Sequence, residues 1–324
     1  MSTATPLVSI ITPAYNSAGF LSDAIESALA QTLTDFELLI ADDGSTDGTL
    51  EVARGWAQRD SRVRVLTGPN GGTASARNRA MQLARGSYFA LLDSDDLWQP
   101  GFLDAQLAVF RDHPDADVVT GNAYNFGGPS HDRPLKPVGT ECQRLSLLDI
   151  LEKEDAVCIM SVFRRRVFDR IGLFNPNLRQ CEDYEYWVRA AHAGCVFFVN
   201  PVPLAYYRRH PDSISANRMN HYNWVVRTYQ SLRTICHDRP AERVAIERQI
   251  TRFERERLLI AAKTHLVRGE FELAAAHFES LAAVTNDVSS AVMAGISRRL
   301  PYALLLAYRA KSALRALRPT RLLG

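Results

Sequence analysis

The sequence predicts an α/β chain: a mostly parallel central sheet with flanking helices, followed by an all-helical C-terminal region. Three observations predict it. Apolar runs of strand length alternate with stretches of helical spacing at the start of the chain. Two acidic clusters, Asp42-Asp43 and Asp93-Ser94-Asp95-Asp96, stand where the second and fourth of those runs end. Strand-like runs stop after about residue 220.

The elements follow in order. Val8–Ile11 is a continuous apolar run ended by Thr12-Pro13, as a buried strand requires. Gly19–Thr32 repeats Phe20, Leu21, Ala24, Ile25, Ala28 and Leu29 on one helical stripe. Phe36–Ala41 is a second strand, Thr49–Trp56 a helix, and Arg62–Leu66 a third strand. Thr73–Ala84 is a helix closed by Gly86, and Tyr88–Leu92 is a fourth strand. This alternation implies βαβ units. The middle is less regular. Strands are expected at Asp117–Phe126, Cys158–Phe163 and Phe197–Tyr207, a helix at Glu182–Ala193, and a surface loop at Gly127–Gly139. Helices are expected at Tyr222–Cys236, Glu242–Arg268 and Phe271–Val284. Ala262–Leu281 has the look of one tetratricopeptide-type helix pair, through Gly269, Phe271, Ala274 and Phe278.

The 324 residues suit one large domain or two modest ones, with 46% hydrophobic and 23% charged residues, which excludes wholesale disorder. The net charge of +2 conceals a split. Residues 1–220 hold 21 Lys+Arg and 27 Asp+Glu; residues 221–324 hold 17 and 9. Such asymmetry suggests two parts with different tasks, and the boundary is placed at residue 220. Cys142, Cys158, Cys181, Cys195 and Cys236 form no metal-binding spacing and read as free thiols in a reducing compartment. The N-terminus lacks a basic segment before its apolar run, so a signal peptide is not expected. No apolar run approaches the about 20 residues of a membrane span. A cytoplasmic location is expected.

In open α/β sheets, ligands bind beyond the carboxyl ends of the strands. Both acidic clusters would face that crevice. Converging carboxylates repel one another, and a divalent cation with oxygen ligands relieves this. The physical reading is a metal–diphosphate site. The competing reading is turn and cap residues. A calcium loop fails on pattern: the twelfth position from Asp43 is Arg54, and the sixth from Asp93 is Trp98. The stretch Gly68-Pro-Asn-Gly-Gly-Thr-Ala-Ser-Ala-Arg-Asn is neither a GxGxxG nor a P-loop motif, yet such a loop entering a helix can cradle an anion. Arg77 either contacts phosphate or is an exposed helix arginine.

An ordered set of motifs runs through the chain. Its members are Val8-Ser-Ile-Ile-Thr-Pro-Ala-Tyr-Asn16, Asp42-Asp-Gly-Ser-Thr-Asp47, Gly71-Gly-Thr-Ala-Ser-Ala-Arg-Asn78 and Leu92-Asp-Ser-Asp-Asp96. Ile171-Gly-Leu-Phe174, Glu182-Asp183 and Tyr207-Arg-Arg-His-Pro-Asp-Ser-Ile-Ser215 complete it. Through this set, over about residues 6–216, the chain resembles the inverting, nucleotide-sugar-dependent glycosyltransferases of family 2, with the Rossmann-like GT-A fold. The resemblance implies that Pro13 and Tyr15 line the nucleotide base pocket, that Asp43 accepts from the base or ribose, and that Arg77 sits beside the donor. It further implies that Asp93-Ser94-Asp95 is the DxD motif, with Asp93 on ribose or metal and Asp95 on manganese or magnesium. Asp183 becomes the catalytic base, and His210 a ligand to metal or diphosphate. The donor is expected to be a UDP-sugar and the acceptor a glycan or lipid-linked glycan of cell-envelope polysaccharide. For Asp183 the competing reading is a helix-capping acid, with Glu185 and Arg189 as a surface i,i+4 pair. Trp98 and Trp187 read as core aromatics before sugar-stacking ones. A sugar nucleotidyltransferase is the rival enzyme class, although its early Gly-rich Arg/Lys signature is missing. A helical adaptor with a degenerate transferase domain is the non-enzyme rival.

The stretch Val288–Gly324 has seven Lys/Arg and no acid. Lys311, Arg315 and Arg318 share a helical face, and Leu304, Ala307, Tyr308, Leu314 and Leu317 would supply apolar surface. A peripheral contact with the inner face of a membrane competes with a solvated basic helix.

Overall fold

A computed structural model describes residues 5–128, 130–285 and 287–316, without the side chains of Ser215 and 311–316. The chain forms two compact units. The first holds the residues up to Ala216 together with Thr228–Ile246; the second holds Asn217–Arg227 and the residues from Glu247 on.

The first unit opens with strands β1 (Val8–Ala14), β2 (Phe36–Asp42), β3 (Val63–Thr67) and β4 (Tyr88–Leu91). They alternate with α1 (Leu21–Leu29), α2 (Thr49–Arg59) and α3 (Thr73–Leu83). Next come β5 (Leu97–Trp98), α4 (Phe102–Asp112), β6 (Val118–Phe126), β7 (Gln143–Leu145) and α5 (Leu147–Glu152). Then follow β8 (Ser161–Arg164), α6 (Arg165–Ile171), α7 (Glu182–His192) and β9 (Phe197–Arg208). The sheet order is β3-β2-β1-β4-β8-β6-β9-β5, with β7 on β9. The long ladders, β1 with β2 and β4, β2 with β3, and β6 with β9, are parallel. Short antiparallel β8 is wedged between β4 and β6. The sheet is thus mixed and mostly parallel, as expected.

Register places the site. Ala14 lies opposite Asp42, and Ile11 opposite Leu91. Tyr15, Asp43 and Asp93 therefore leave the sheet at one edge, beside the point where the strand order reverses between β1 and β4. β1 and β2 are buried along their whole length, which their unbroken apolar runs require. Trp187 is fully buried, with Phe163 at 5.5 Å and Phe197 at 6.1 Å. Trp98 stacks on Phe102 at 4.4 Å. Both tryptophans are core residues. Near Asp47, a web of loop bonds closes the turn after β2: Ala18 N–H and Thr49 N–H donate to its carboxylate at 3.2 and 3.0 Å.

The expected strand Cys158–Phe163 begins only at Ser161, because Cys158 N–H is drawn off to the Thr120 hydroxyl at 3.0 Å. The irregular middle also contains α4, β7, α5 and α6, which the sequence reading passed over. All five cysteines are free thiols.

The second unit is helical. α8 (Arg218–Ile235) and α9 (Pro240–Arg268) contribute turns to both units; α10 (Phe271–Thr285), α11 (Val288–Arg299) and α12 (Pro301–Ala316) belong to the second. Its core joins Leu258, Ala262, Leu266, Ala274, Phe278, Leu281, Ala294, Leu304 and Leu305. Leu304 is thus core rather than surface. Arg318 and Leu317 lie outside the described residues, as do the side chains of Lys311, Leu314 and Arg315. No helix among the described residues is long and apolar enough to cross a membrane.

Gly86 precedes β4 with its N–H on the Ser9 hydroxyl at 2.8 Å. A Cβ there would stand 2.5 Å from Ser9 N and 2.7 Å from Val8 C, both backbone atoms of the central strand. Gly86→Ala is therefore expected to lower stability by about 2 kcal/mol, read as the urea midpoint; a wild-type midpoint would contradict this packing.

Candidate active site

The edge after β1 and β2 is built around Tyr15. Pro13 is buried in β1, whereas the Tyr15 ring is 49% exposed. Asn16 takes a left-handed conformation (φ +48°), and its amide oxygen accepts from Thr46 N–H at 2.8 Å. Asp43 faces inward. Its carboxylate accepts the N–H of Gly71 at 3.1 Å and of Gly72 at 2.7 Å, and Arg79 approaches to 3.6 Å. Asp43 is only 3% exposed. It shapes the Gly-rich loop and keeps its other lone pairs for a further donor.

The centre of the site is Arg77. The sequence left it open as an exposed helix arginine; the structure buries it at 2% exposure. One guanidinium nitrogen donates to Asp93 Oδ1 at 2.6 Å and another to Glu182 Oε1 at 2.5 Å. Its carbon lies 5.7 Å from the Phe174 ring centroid. The planar fork suits two carboxylates approaching from different elements. Burial alone would lower the pKa of Arg77; the charges of Asp93, Glu182 and Asp183 outweigh it and raise it. The neighbouring Asn78 repeats the link: its side-chain amide exchanges bonds of 2.8 Å with the N–H and C=O of Phe174. One turn of α3 thus ties the end of β4 to the segment before α7.

α7 begins after Cys181, a left-handed residue with φ +59°. Glu182 is buried and Asp183 partly exposed. Burial pushes both carboxyls up; Arg77 opposes this in each case. Asp183 Oδ1 accepts from Tyr184 N–H at 2.8 Å. The expected surface pair Glu185–Arg189 exists at 2.9 Å, but Glu185 is buried. Arg189 also donates to Ile171 O at 2.6 Å and Leu173 O at 2.7 Å, so the pair clamps the Ile171–Phe174 turn.

Beyond β4, Asp95 Oδ2 meets His210 Nε2 at 3.0 Å. Burial and the charge of Asp93 raise the Asp95 pKa, and His210 opposes the rise. Asp96 is 1% exposed; one oxygen accepts from Arg208 N–H at 2.9 Å and the other has no partner among the described residues. Burial, then Asp95 and Asp93, push its carboxyl well up. Arg208 also donates to Asp95 O at 2.7 Å and packs over Phe20, whose ring meets His210 at 4.6 Å. Asp96 belongs to the acidic cluster expected at the crevice, and Glu182 and Arg208 stand inside quoted motifs, but the sequence reading assigned none of them an individual role. Phe20 read only as part of a helical stripe, and no signal flagged it for the site.

The structure thus brings Arg77, Asp93, Glu182 and Asp183 together, and Asp95 with His210. It keeps Asp43 apart on the Gly-rich loop. Among the described residues, no three His, Cys, Asp or Glu side chains converge as a closed metal cage. The donor set still fits a magnesium-like ion, which needs only one or two protein carboxylates when substrate phosphates and water complete its shell. Asp95 beside His210, whose buried Nδ1 has no partner among the described residues, provides such a partial set.

Comparison with known proteins agrees with this architecture. Residues 9–172 match the model of Glycosyl transferase family 2. TuaG of Bacillus subtilis, provisionally named for teichuronic acid biosynthesis, is 33% identical over 214 residues, 66% of this chain and 83% of TuaG. The hyaluronan synthase of Pasteurella multocida is 34% identical over 220 residues, 66% of this chain but only 22% of that protein. S. aureus TarS 1-349 in complex with UDP-GlcNAc shares the fold with a TM-score of 0.62 at 18% identity, over 94% of this chain and 92% of that one. Mannosyltransferase PcManGT from Pyrobaculum calidifontis, in complex with GDP-Man and Mn2+, gives 0.56 at 18%, over 95% and 87%. The chain belongs to glycosyl transferase family 2 and is a glycosyltransferase, which sets aside the nucleotidyltransferase and adaptor readings.

Removing Arg77 would leave Glu182 buried and uncompensated. Arg77→Met is expected to cost about 3 kcal/mol of stability. The sign with pH follows from the raised Glu182 pKa. A carboxylate whose pKa is higher folded than unfolded destabilises the fold as pH rises, and losing Arg77 raises it further. The deficit measured by urea unfolding should therefore be larger near about pH 8 than near about pH 5; an equal deficit would contradict the pairing.

Proposed function

We propose that this family member transfers a sugar from a metal-bound nucleotide-diphosphate sugar, most simply a UDP-sugar, to an acceptor hydroxyl with inversion at the anomeric carbon. The observation that carries the reading is the Arg77 fork, because it gathers the Asp93 end of β4 and the Glu182-Asp183 start of α7 around one charge. Residues 1–220 would carry the chemistry and residues 221–324 a separate task.

Inverting transfer is one in-line displacement. It needs a base for the acceptor proton and stabilisation of the departing diphosphate. Asp183 takes the first role: it is partly exposed, and its raised pKa brings it nearer to that of an effective base at neutral pH. Tyr15 offers its exposed ring to the nucleotide base, with Pro13 behind it, while Asp43 accepts from the base or ribose. Asp93 and Ser94 would contact the ribose. Arg77 holds Asp93 and Glu182 in place rather than meeting the donor itself. Asp95, with Asp93 and His210 beside it, would hold manganese or magnesium, which supplies charge neutralisation of the diphosphate when bound. TarS is in complex with UDP-GlcNAc and PcManGT with GDP-Man and Mn2+, so a thermal-shift screen of nucleotide sugars with and without Mn²⁺ tests the donor directly. The acceptor is a glycan or lipid-linked glycan of cell-envelope polysaccharide synthesis, a reading supported only as far as glycan synthesis by the names of TuaG and the hyaluronan synthase. A cytoplasmic site of action, at the inner face of a membrane, suits a nucleotide-sugar donor and such acceptors.

Asp183→Asn should lower kcat by about a thousandfold while calorimetry finds donor affinity unchanged; retained turnover would refute the base. In the wild type, the rate should fall as pH drops through the raised Asp183 pKa, since the base must be ionised. The acid limb should therefore lie above that of an ordinary aspartate. Asp95→Ala should abolish the Mn²⁺-dependent part of donor binding; wild-type Mn²⁺ dependence would exclude Asp95 as a ligand.

A further inference from the structure

The helical unit displays an apolar surface that its own core does not use. α12 divides its residues sharply. Leu304 and Leu305 enter the core, with Tyr308 packed against it. The opposite side exposes Tyr302 at 70% and Leu306 at 66%, together with Ala303, Ala307 and Ala310. Tyr302, Leu306 and Ala310 recur at i, i+4 and i+8, so they form one continuous stripe. Leu300, 62% exposed, extends it through the turn before α12. One edge of the Tyr302 ring rests on Phe271 at 5.2 Å, which fixes the ring without covering it. α11 repeats the pattern with Val288, Ala291, Val292 and Gly295 outward.

The charges carried by α11 and α12 themselves have one sign. Arg299 ends the outward stripe of α11, and Arg309 flanks that of α12; both are exposed. From Val288 onward the sequence has seven Lys/Arg and no acid. Two acids of this unit, Glu272 and Glu279 on α10, are taken up by Arg298. Asp287 precedes α11 and Glu272 adjoins the Phe271 that meets Tyr302, but the two helices that carry the stripe have only cations, the pattern of a helix that lies in a membrane interface. A second copy of the chain is the poorer occupant. A two-fold contact would set the stripe against itself and gather the Arg299 and Arg309 cations of both copies in one interface. Anionic headgroups would pair with the same cations. Since no helix among the described residues is long and apolar enough to cross a bilayer, the contact is peripheral.

We propose that the outward face of α12, with Leu300 and the α11 stripe, is a docking surface for an anionic lipid bilayer. Tyr302 and Leu306 insert at the headgroup level, and Arg299 and Arg309 pair with lipid phosphate. The membrane contact expected of the basic tail is thereby placed on the Tyr302–Leu306 side of α12. The proposal develops the membrane part of the functional reading and is independent of the catalytic part, which donor binding reports separately.

The test is flotation of the full chain with vesicles of phosphatidylcholine alone or with phosphatidylglycerol added. The wild type should float with the anionic vesicles and much less with the neutral ones. Tyr302→Gln with Leu306→Gln should weaken flotation by about tenfold or more, and Arg299→Gln with Arg309→Gln should remove the preference for anionic lipid. Leu273→Gln, on the exposed side of α10, should float as the wild type does. All positions are exposed, and unchanged donor binding and thermal melts certify each variant. The proposal is overturned if the wild type floats with neither vesicle, or if the Tyr302/Leu306 pair floats unchanged. It is equally overturned if the wild type is a dimer that this pair dissolves.

Discussion

A single buried guanidinium constrains the catalytic unit. Arg77 sits at 2% exposure between Asp93 and Glu182, residues separated in sequence by most of the sheet. Neither the arginine nor Glu182 is tolerable in that place alone, because an unpaired buried charge is costly. Together they fix α3, the end of β4 and the start of α7 in one arrangement. The Asn78–Phe174 pair and the Arg189 bonds to Ile171 and Leu173 reinforce the same junction. Asp183 owes its place to this junction, since it follows Glu182 directly on α7.

The charge balance that results is deliberate in its incompleteness. Arg77 offsets Asp93 and Glu182, and Arg208 binds the Asp93–Asp96 turn through Asp96 and the Asp95 carbonyl. Asp95, Asp96 and Asp183 remain with carboxyl pKa values pushed up, chiefly by burial. A site that holds ionised carboxylates at some cost is primed for a cation. It also makes a nearby carboxylate a better proton acceptor at neutral pH. The acidic excess of residues 1–220 is therefore partly a property of this pocket, whereas the basic excess of the rest belongs to the helical unit.

Much of this was legible in the sequence, for identifiable reasons. The strands β1, β2 and β4 announced themselves because parallel strands buried on both faces read as unbroken apolar runs. The acidic clusters were legible by position, since register obliges them to leave one edge. The part of α4 that reads Phe102, Leu103, Gln106, Leu107 and Phe110 carried a helical stripe that was overlooked, and Ser146 with Asp149 carried the capping box of α5. Other features had no local signal. β7 exists only through pairing with β9. The burial of Arg77 depends on Glu182, about a hundred residues away, and no spacing rule connects them. The inward turn of Asp43 depends on the Gly71 and Gly72 amides. On α12, periodicity gave the helix but not which side the core would take, so the exposed stripe of Tyr302 and Leu306 became visible only in three dimensions.

The central claim is that Arg77 and Glu182 compensate one another. A double-mutant cycle measures that most directly: urea unfolding of Arg77→Met, Glu182→Gln and the double variant at neutral pH. The account requires that Glu182→Gln restore part of the stability lost in Arg77→Met, with a coupling of at least about 1 kcal/mol. Additive losses would mean that the two charges do not need each other, and the account of the site built on them would fall.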